Sequence, residues 1–143
     1  MSTVPRLRFL VAEDNEEWQK IIIQILEVDY DLAGIVDRGD QIIDVAQKCL
    51  PDMITLDIAM PGQSGLQALP RLRSTFPNAI IVVISNTATP VYMEEAFARG
   101  ADGYLEKGGG MLSSLTQTIS SARLQQRSTM RAPMAVPTSC QKH

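Results

Sequence analysis

The chain has 143 residues, of which 45% are hydrophobic and 20% charged, and its formal net charge is -3. This length is enough for one domain with a substantial core. No apolar run approaches the roughly 18 residues of a membrane span, and no charged-then-apolar leader opens the chain, so we expect a cytoplasmic protein with no membrane contact. Cys49 and Cys140 lie far apart and outside metal-ligand spacing, which predicts free thiols.

Charge is distributed unevenly along the chain. All 16 acidic residues lie at or before Glu106, whereas five Lys or Arg residues and no acid follow from Lys107 onward. This pattern predicts either a solvated basic end or a contact with an acidic partner or a nucleic acid. Composition does not distinguish the two.

Five short apolar runs predict strands, and the run at residues 79–85 is β-branched almost throughout. The first run ends at the acidic pair Glu13-Asp14, and the third ends at Asp57. In chain order, the predicted strands cover residues 7–12, 31–37, 52–57, 79–85 and 103–107.

Apolar residues at helical spacing follow each strand. Pro51 ends the second predicted helix. In the fourth, Pro90 is suited to the first turn and Gly100 to a left-handed C-cap. The predicted helices cover residues 18–26, 42–50, 64–76, 90–100 and 111 to about 126.

This alternation of strands and helices predicts an α/β fold with right-handed crossovers and a parallel sheet covered on both faces. We therefore expect one domain over residues 6–126. Residues 127–143 hold two prolines and no periodic apolar pattern, so we expect a flexible basic tail and no output domain there.

Functional side chains stand at the carboxyl ends of these strands, the edge at which open α/β sheets bind ligands. If the first and third strands are neighbours, as in a flavodoxin-like 2-1-3-4-5 order, Glu13, Asp14 and Asp57 converge in one shallow cup. Ser85 and Lys107 end the fourth and fifth strands and face the same rim.

Three carboxylates in one cup need a proton or a cation. Anions about 5 Å apart repel by roughly 3 kcal/mol per pair at an effective dielectric of about 20. Oxygen ligands with room for water favour Mg²⁺, with Mn²⁺ as the alternative. Together with Lys107 and the Ser85 hydroxyl, the set suits the transfer of a phosphoryl group to a carboxylate.

The order of these motifs closely resembles the receiver domain of two-component response regulators. The resemblance covers roughly residues 6–126 and rests on Glu13-Asp14, LDIAMPGQSG, Ser85, and ARGADGYLEK leading into Lys107. The block ARGADGYL is most similar to receivers of regulators with a helix-turn-helix output. The fold that the resemblance implies is a five-stranded parallel sheet in the order 2-1-3-4-5 with helices on both faces.

The resemblance also implies roles for individual residues. Asp57 is the expected phosphoacceptor, Lys107 and Ser85 contact the phosphoryl group, and Tyr104 is an aromatic whose exposure changes with the switch. Plain core packing is the alternative for Tyr104, and helix N-terminal acids the alternative for the acidic pair. The expected magnesium shell comprises Glu13, Asp14, Asp57 and the backbone carbonyl of Ala59.

The expected function is phosphorelay signalling, without enzymatic activity. The phosphate donor would be a histidine on a sensor kinase or a phosphotransfer protein. The output would be altered binding of a downstream protein or a second copy through the face of the fourth helix, fifth strand and fifth helix. Val91, Tyr92 and Tyr104 supply apolar surface there. We expect no direct nucleic-acid binding, because the roughly 17 residues after Gln126 cannot hold an output domain.

Two positions depart from the family pattern. Asn86 follows Ser85 where receivers usually have Ala or Gly, and its larger side chain would narrow access to the phosphoryl group. Gly108 replaces the frequent Pro after Lys107 and opens a run of three glycines, which predicts a mobile loop.

Three other functions compete with a complete signalling module. The first is the truncated receiver half of a DNA-binding transcription regulator. A phosphotransferase of the haloacid-dehalogenase type would need a second Asp where this chain has Ala59. A flavin carrier would need a Ser/Thr-rich phosphate loop where this chain has Glu13-Asp14-Asn15.

Overall fold

Five short strands form one parallel sheet in the computed structural model, which describes residues 6–131. The order across the sheet is β2-β1-β3-β4-β5, and each neighbouring pair is parallel, as predicted. The strands are β1 (Arg8–Ala12), β2 (Asp31–Val36), β3 (Met53–Leu56), β4 (Ile80–Ser85) and β5 (Gly103–Glu106).

Five α-helices and one short 3-10 turn connect the strands. Three helices begin at side-chain caps, where Asn15, Ser64 and Thr89 accept hydrogen bonds from backbone N–H groups of the first turn. The Asn15 cap explains why the first helix begins two residues before the predicted start. The elements are α1 (Glu16–Leu26), the turn Gly39–Gln41, α2 (Ile42–Cys49), α3 (Gly65–Thr75), α4 (Pro90–Ala98) and α5 (Met111–Arg131).

The two faces of the sheet each carry an apolar layer. One layer packs β-strand residues such as Phe9 and Val11 against α1 and α5, and the other packs Leu10 and Ile54 against α2, α3 and α4. The three central strands, β1, β3 and β4, are buried on both faces over almost their whole length, which explains their continuous apolar runs. Within residues 6–131, no helix combines the length and the hydropathy that a membrane crossing requires.

The last helix is longer than predicted. α5 continues to Arg131, past the expected end at residue 126 and across the predicted domain boundary. The sequence has no Gly or Pro from Met111 to Arg131, and Pro133 disfavours helical backbone only at the residue before it. The prediction of a flexible tail therefore falls mostly on residues 132–143, which lie outside the described residues.

Candidate functional site

The site residues stand one step beyond the strands, where the ladder of backbone hydrogen bonds still holds them. The N–H groups of Glu13, Asp57 and Lys107 each donate to a carbonyl oxygen of the neighbouring strand at 2.9 Å. Because the sheet is parallel, these residues meet at the carboxyl edge of β1, β3 and β5. The backbone therefore fixes the origin of all three side chains.

Three carboxylates converge at this edge. One oxygen each from Glu13, Asp14 and Asp57 lies within 4.8 Å of the others. Glu13 and Asp57 are only 1% and 5% exposed, whereas Asp14 is exposed. The cup therefore has a buried wall and an open wall, and Asp14 stands on the open one.

The Lys107 ammonium is the buried countercharge of the cup. Its Nζ lies 2.9 Å from Glu13 Oε1, 3.1 Å from Glu13 Oε2 and 3.4 Å from Asp57 Oδ2. The Lys107 side chain is 3% exposed, so water has little access to the ammonium and screens these ion pairs only weakly. A single ammonium thus faces two buried carboxylates, so the site keeps an excess of negative charge.

Burial in this cluster changes how tightly Glu13 binds a proton. Burial, opposed by the Lys107 hydrogen bond and reinforced by the nearby Asp57 charge, raises the pKa of Glu13 to about 7. Among the described residues, no donor makes an aligned hydrogen bond to Glu13 Oε1. An oxygen-coordinated divalent cation would satisfy this oxygen and neutralise the cluster, so the donor set fits Mg²⁺.

The motif LDIAMPGQSG forms the end of β3 and the tight loop that leads into α3. Asp57 Oδ1 accepts the Ala59 N–H at 3.2 Å, and Gly65 N–H donates to the Ile58 carbonyl at 2.9 Å. A side-chain carbon at Gly65 would lie 2.3 Å from the Asp57 carbonyl oxygen, so only glycine lets α3 begin there. Gly62 has φ +89°, a left-handed conformation that favours glycine. The loop therefore returns tightly and leaves Asp57 at the cup.

The Ser85 hydroxyl lies at the end of β4 and is engaged by the following loop. Ser85 is 4% exposed, and its Oγ accepts the Thr87 N–H at 3.1 Å. The Tyr104 hydroxyl donates to the Thr87 carbonyl, and burial raises the pKa of that phenol. Tyr104 is 8% exposed and packs in the core, so the prediction that it adds apolar surface to the face of α4, β5 and α5 is wrong for this conformation. Asn86 is exposed between these groups.

The sequence analysis did not predict two contacts of the site. The Lys107 ammonium lies over the ring of Trp18, 5.5 Å from its centroid. Thr87 joins Ser85 to Tyr104 through its backbone. The position of Trp18 in the first turn after the acidic pair was a usable signal for the first contact, whereas the second uses backbone groups and leaves no mark in the sequence.

Comparison with known proteins agrees with this geometry. Residues 9–120 match the sequence profile of the response regulator receiver domain. The nitrate/nitrite response regulator NarL of Escherichia coli K12 is 34% identical over 109 residues, which are 75% of this chain and 50% of that protein. The chemotaxis protein CheY of Halobacterium salinarum is 26% identical over 98 residues, 68% of this chain and 82% of that protein.

Solved structures give the same fold. A CheY-like receiver domain protein from Methanospirillum hungatei superposes with a TM-score of 0.78 at 18% identity, covering 87% of this chain and 98% of that one. The chain spans most of the CheY relative but about half the length of several other curated relatives, NarL among them. With its sequence profile, sheet order and acidic cup in agreement, the chain belongs to the response regulator receiver domain family of two-component signalling.

Proposed function

We propose that this receiver is phosphorylated on Asp57. The observation that carries the proposal is a buried ammonium shared by two carboxylates of a three-carboxylate cup, all at the carboxyl edge of one sheet. A surface cluster of acids would not bury a lysine at 3% exposure among them. The arrangement is suited to a charge that changes during function.

Asp57 is the carboxylate best placed to react. Its Oδ1 accepts the Ala59 N–H, and its Oδ2 faces the Lys107 ammonium. In the proposed step, one of these oxygens bonds to phosphorus while the bond from phosphorus to the donor histidine nitrogen breaks. The imidazole leaves with that electron pair and takes up a proton from solvent. Lys107 then offsets part of the added negative charge.

A divalent cation would complete the cup. Glu13, Asp14, Asp57 and the backbone carbonyl of Ala59 are the proposed ligands, and Mg²⁺ is the expected ion, with Mn²⁺ as the alternative. When bound, the ion supplies positive charge to the transferring phosphoryl oxygens. Glu13 and Asp57 are already positioned by backbone hydrogen bonds, so little rearrangement of the strands is needed.

The proposed output is a change in the face formed by α4, β5 and α5. Ser85 would exchange its bond from the Thr87 N–H for a bond that its own hydroxyl donates to the phosphoryl group, which would alter the Thr87 carbonyl held by Tyr104. Val91 and Tyr92 on α4 are 69% and 42% exposed and give this face its apolar surface. A downstream protein or a second copy of the chain would bind there.

The proposed phosphate donor is a sensor histidine kinase or a histidine phosphotransfer protein. Receiver domains are generally signalling modules rather than enzymes, and we expect no catalytic activity here beyond the chemistry of Asp57. The cytoplasmic location and the lack of direct nucleic-acid binding, both expected from the sequence, remain predictions.

A second candidate is the receiver half of a DNA-binding regulator. The observation that favours it is the match to NarL, which covers 50% of that protein. The reading frame after His143 distinguishes the candidates: a further domain of about 60 residues or more would support a transcription regulator, and a stop codon would support a signalling module complete in itself.

Intact-mass analysis tests the proposed phosphorylation. With acetyl phosphate and Mg²⁺, the wild-type protein should gain one phosphoryl group and Asp57→Asn none. Asp29→Asn makes the same chemical change at an exposed position before β2, at the opposite edge of the sheet, and should be labelled like wild type. Equal labelling of the Asp57 variant would refute the assignment.

A further inference from the structure

Trp18 lies over the buried ammonium of Lys107. The distance from Nζ to the ring centroid is 5.5 Å, within the range of a cation–π interaction. The backbone N–H of Trp18 donates to the Asn15 side chain at 2.9 Å, which places Trp18 on the first turn of α1. Trp18 is also the only tryptophan in the sequence.

The contact with the Trp18 ring is important because the Lys107 ammonium is largely shielded from water. An ammonium with a 3% exposed side chain has little access to water, and an aromatic face attracts a desolvated cation more strongly than a solvated one. The carboxylate contacts of Lys107 are unequal: Glu13 lies at 2.9 Å and Asp57 at 3.4 Å. Without a further contact, electrostatic attraction would draw the ammonium toward Glu13 and away from the phosphoacceptor.

We propose that Trp18 is a positioning residue for the receiver reaction, whose ring face holds the Lys107 ammonium within reach of Asp57. The inference rests on the proposed phosphorylation of Asp57. Trp18 does not touch the reacting atoms and acts only through Lys107. Weakening the interaction should therefore slow phosphorylation while leaving the fold intact.

The chain contains a matched control for this contact. The Arg123 guanidinium lies over the Tyr30 ring, 5.9 Å from its centroid, on the same side of the sheet. Tyr30 directly precedes β2 and so stands at the edge opposite the cup. Tyr30→Leu removes an aromatic ring from a buried position, and Trp18→Leu removes one from a half-buried position. Only the Tyr30 substitution lies far from Asp57.

Fluorinated tryptophans test the contact with little change in size. Biosynthetic incorporation of mono-, di- and trifluorotryptophan alters position 18 alone and withdraws electron density from the ring face in steps. We expect the rate of phosphorylation by acetyl phosphate to fall at each step, and Trp18→Leu to be roughly 2- to 30-fold slower than wild type. Trp18→Phe should be intermediate, and Tyr30→Leu should react at the wild-type rate. Equal rates across the fluorinated series would overturn the proposal.

A second readout separates this inference from the proposed function. In resting protein that carries 5-fluorotryptophan, Lys107→Met should shift the single ¹⁹F resonance, whereas Arg123→Met should not. An unchanged resonance in Lys107→Met would overturn the Trp18 contact even if wild type is phosphorylated. A shifted resonance together with no phosphorylation of wild type would instead refute the reaction, and with it the positioning role, while confirming the contact.

Discussion

At the scale of single residues, the balance of charge around Lys107 governs the site. One ammonium lies 2.9 Å from Glu13 and 3.4 Å from Asp57, and both carboxylates are nearly fully buried. A buried carboxylate that is not fully compensated binds a proton more tightly than it would in water. The raised pKa of Glu13, to about 7, is this effect.

The Glu13 shift predicts how stability depends on pH. Folded Glu13 binds its proton more tightly than the unfolded chain does, so its stabilising contribution is complete below the ordinary glutamate pKa. That contribution is lost as the pH rises through about 7. In EDTA, the free energy of unfolding of wild type should therefore fall between pH 5 and pH 8 by more than that of Glu13→Gln. Urea titrations at both pH values measure the difference, and equal pH dependence of the two proteins would contradict the assignment.

Asp14 should govern metal affinity. It is the exposed member of the cup, so Asp14→Asn removes a ligand charge while burying no new group. We expect Mg²⁺ binding to weaken by at least about tenfold, measured by Trp18 fluorescence, with Asp29→Asn unchanged. Mg²⁺ should also stabilise wild type, by about 2.7 kcal/mol at a hundred times its Kd. Identical affinities in the two variants would place the ion elsewhere.

At the scale of elements, hydrogen bonds of the loop after β4 connect the end of β4 at the cup to β5. Both Ser85 and Tyr104 form hydrogen bonds with the backbone of Thr87. The Ser85 Oγ accepts the Thr87 N–H, and the Tyr104 hydroxyl donates to the Thr87 carbonyl. A group that recruits the Ser85 hydroxyl therefore competes with one end of this connection. One charge-assisted hydrogen bond, worth roughly 1.5–3 kcal/mol, is enough to shift a two-state equilibrium about ten- to a hundredfold.

Ser85→Ala should separate phosphorylation from switching. The variant keeps Asp57 and Lys107, so acetyl phosphate should still add one phosphoryl group. In wild type, amide exchange in residues 86–106 should change on phosphorylation, and this change should be much smaller in the variant. If amide protection in wild type changed only around Asp57, the site would accept phosphate without switching the face of α4, β5 and α5.

Arg73 joins α3 to the segment that leads into β5. Its guanidinium donates to the carbonyls of Ala79 at 2.7 Å and Gly100 at 2.8 and 3.0 Å, and pairs with Asp102 at 2.7 Å. Gly100 has φ +118°, and a side-chain carbon there would lie 2.8 Å from Arg73 Cβ. This contact fixes the end of α4 relative to the sheet.

Removal of this connection should destabilise the fold without touching the cup. We expect Arg73→Ala to lower the free energy of unfolding by about 2–4 kcal/mol, because several carbonyls and Asp102 lose a charged donor. Arg71→Ala, an exposed arginine on the same helix, should change it by less than about 0.5 kcal/mol. Urea denaturation compares the two, and equal losses would show that the Arg73 contacts contribute nothing net.

At the scale of the whole molecule, the architecture was predictable because its signals are local. Alternating apolar runs and helical stripes indicate a parallel sheet, and acids placed directly after two strands indicate where the site lies. All five strands lie within about two residues of their predicted bounds. The carboxylate cup followed from the strand order, since β1 and β3 are neighbours.

Other features depend on side-chain packing between distant elements, which a single sequence does not encode locally. The inward position of Tyr104, the unequal sharing of Lys107 and the contact from Trp18 are all of this kind. The length of α5 was underestimated for another reason, because a polar surface helix carries a weak periodic signal and the sequence has no Gly or Pro between Met111 and Arg131.

Site-resolved mass spectrometry shows directly whether Asp57 is the residue in the cup that accepts the phosphoryl group. Protein treated with acetyl phosphate and Mg²⁺ is reduced with borohydride, which converts an acyl phosphate to an alcohol, and is then digested and sequenced by mass. We expect homoserine at position 57 and unmodified Glu13 and Asp14. Homoserine or its glutamate counterpart at another position, or no conversion at all, would contradict it.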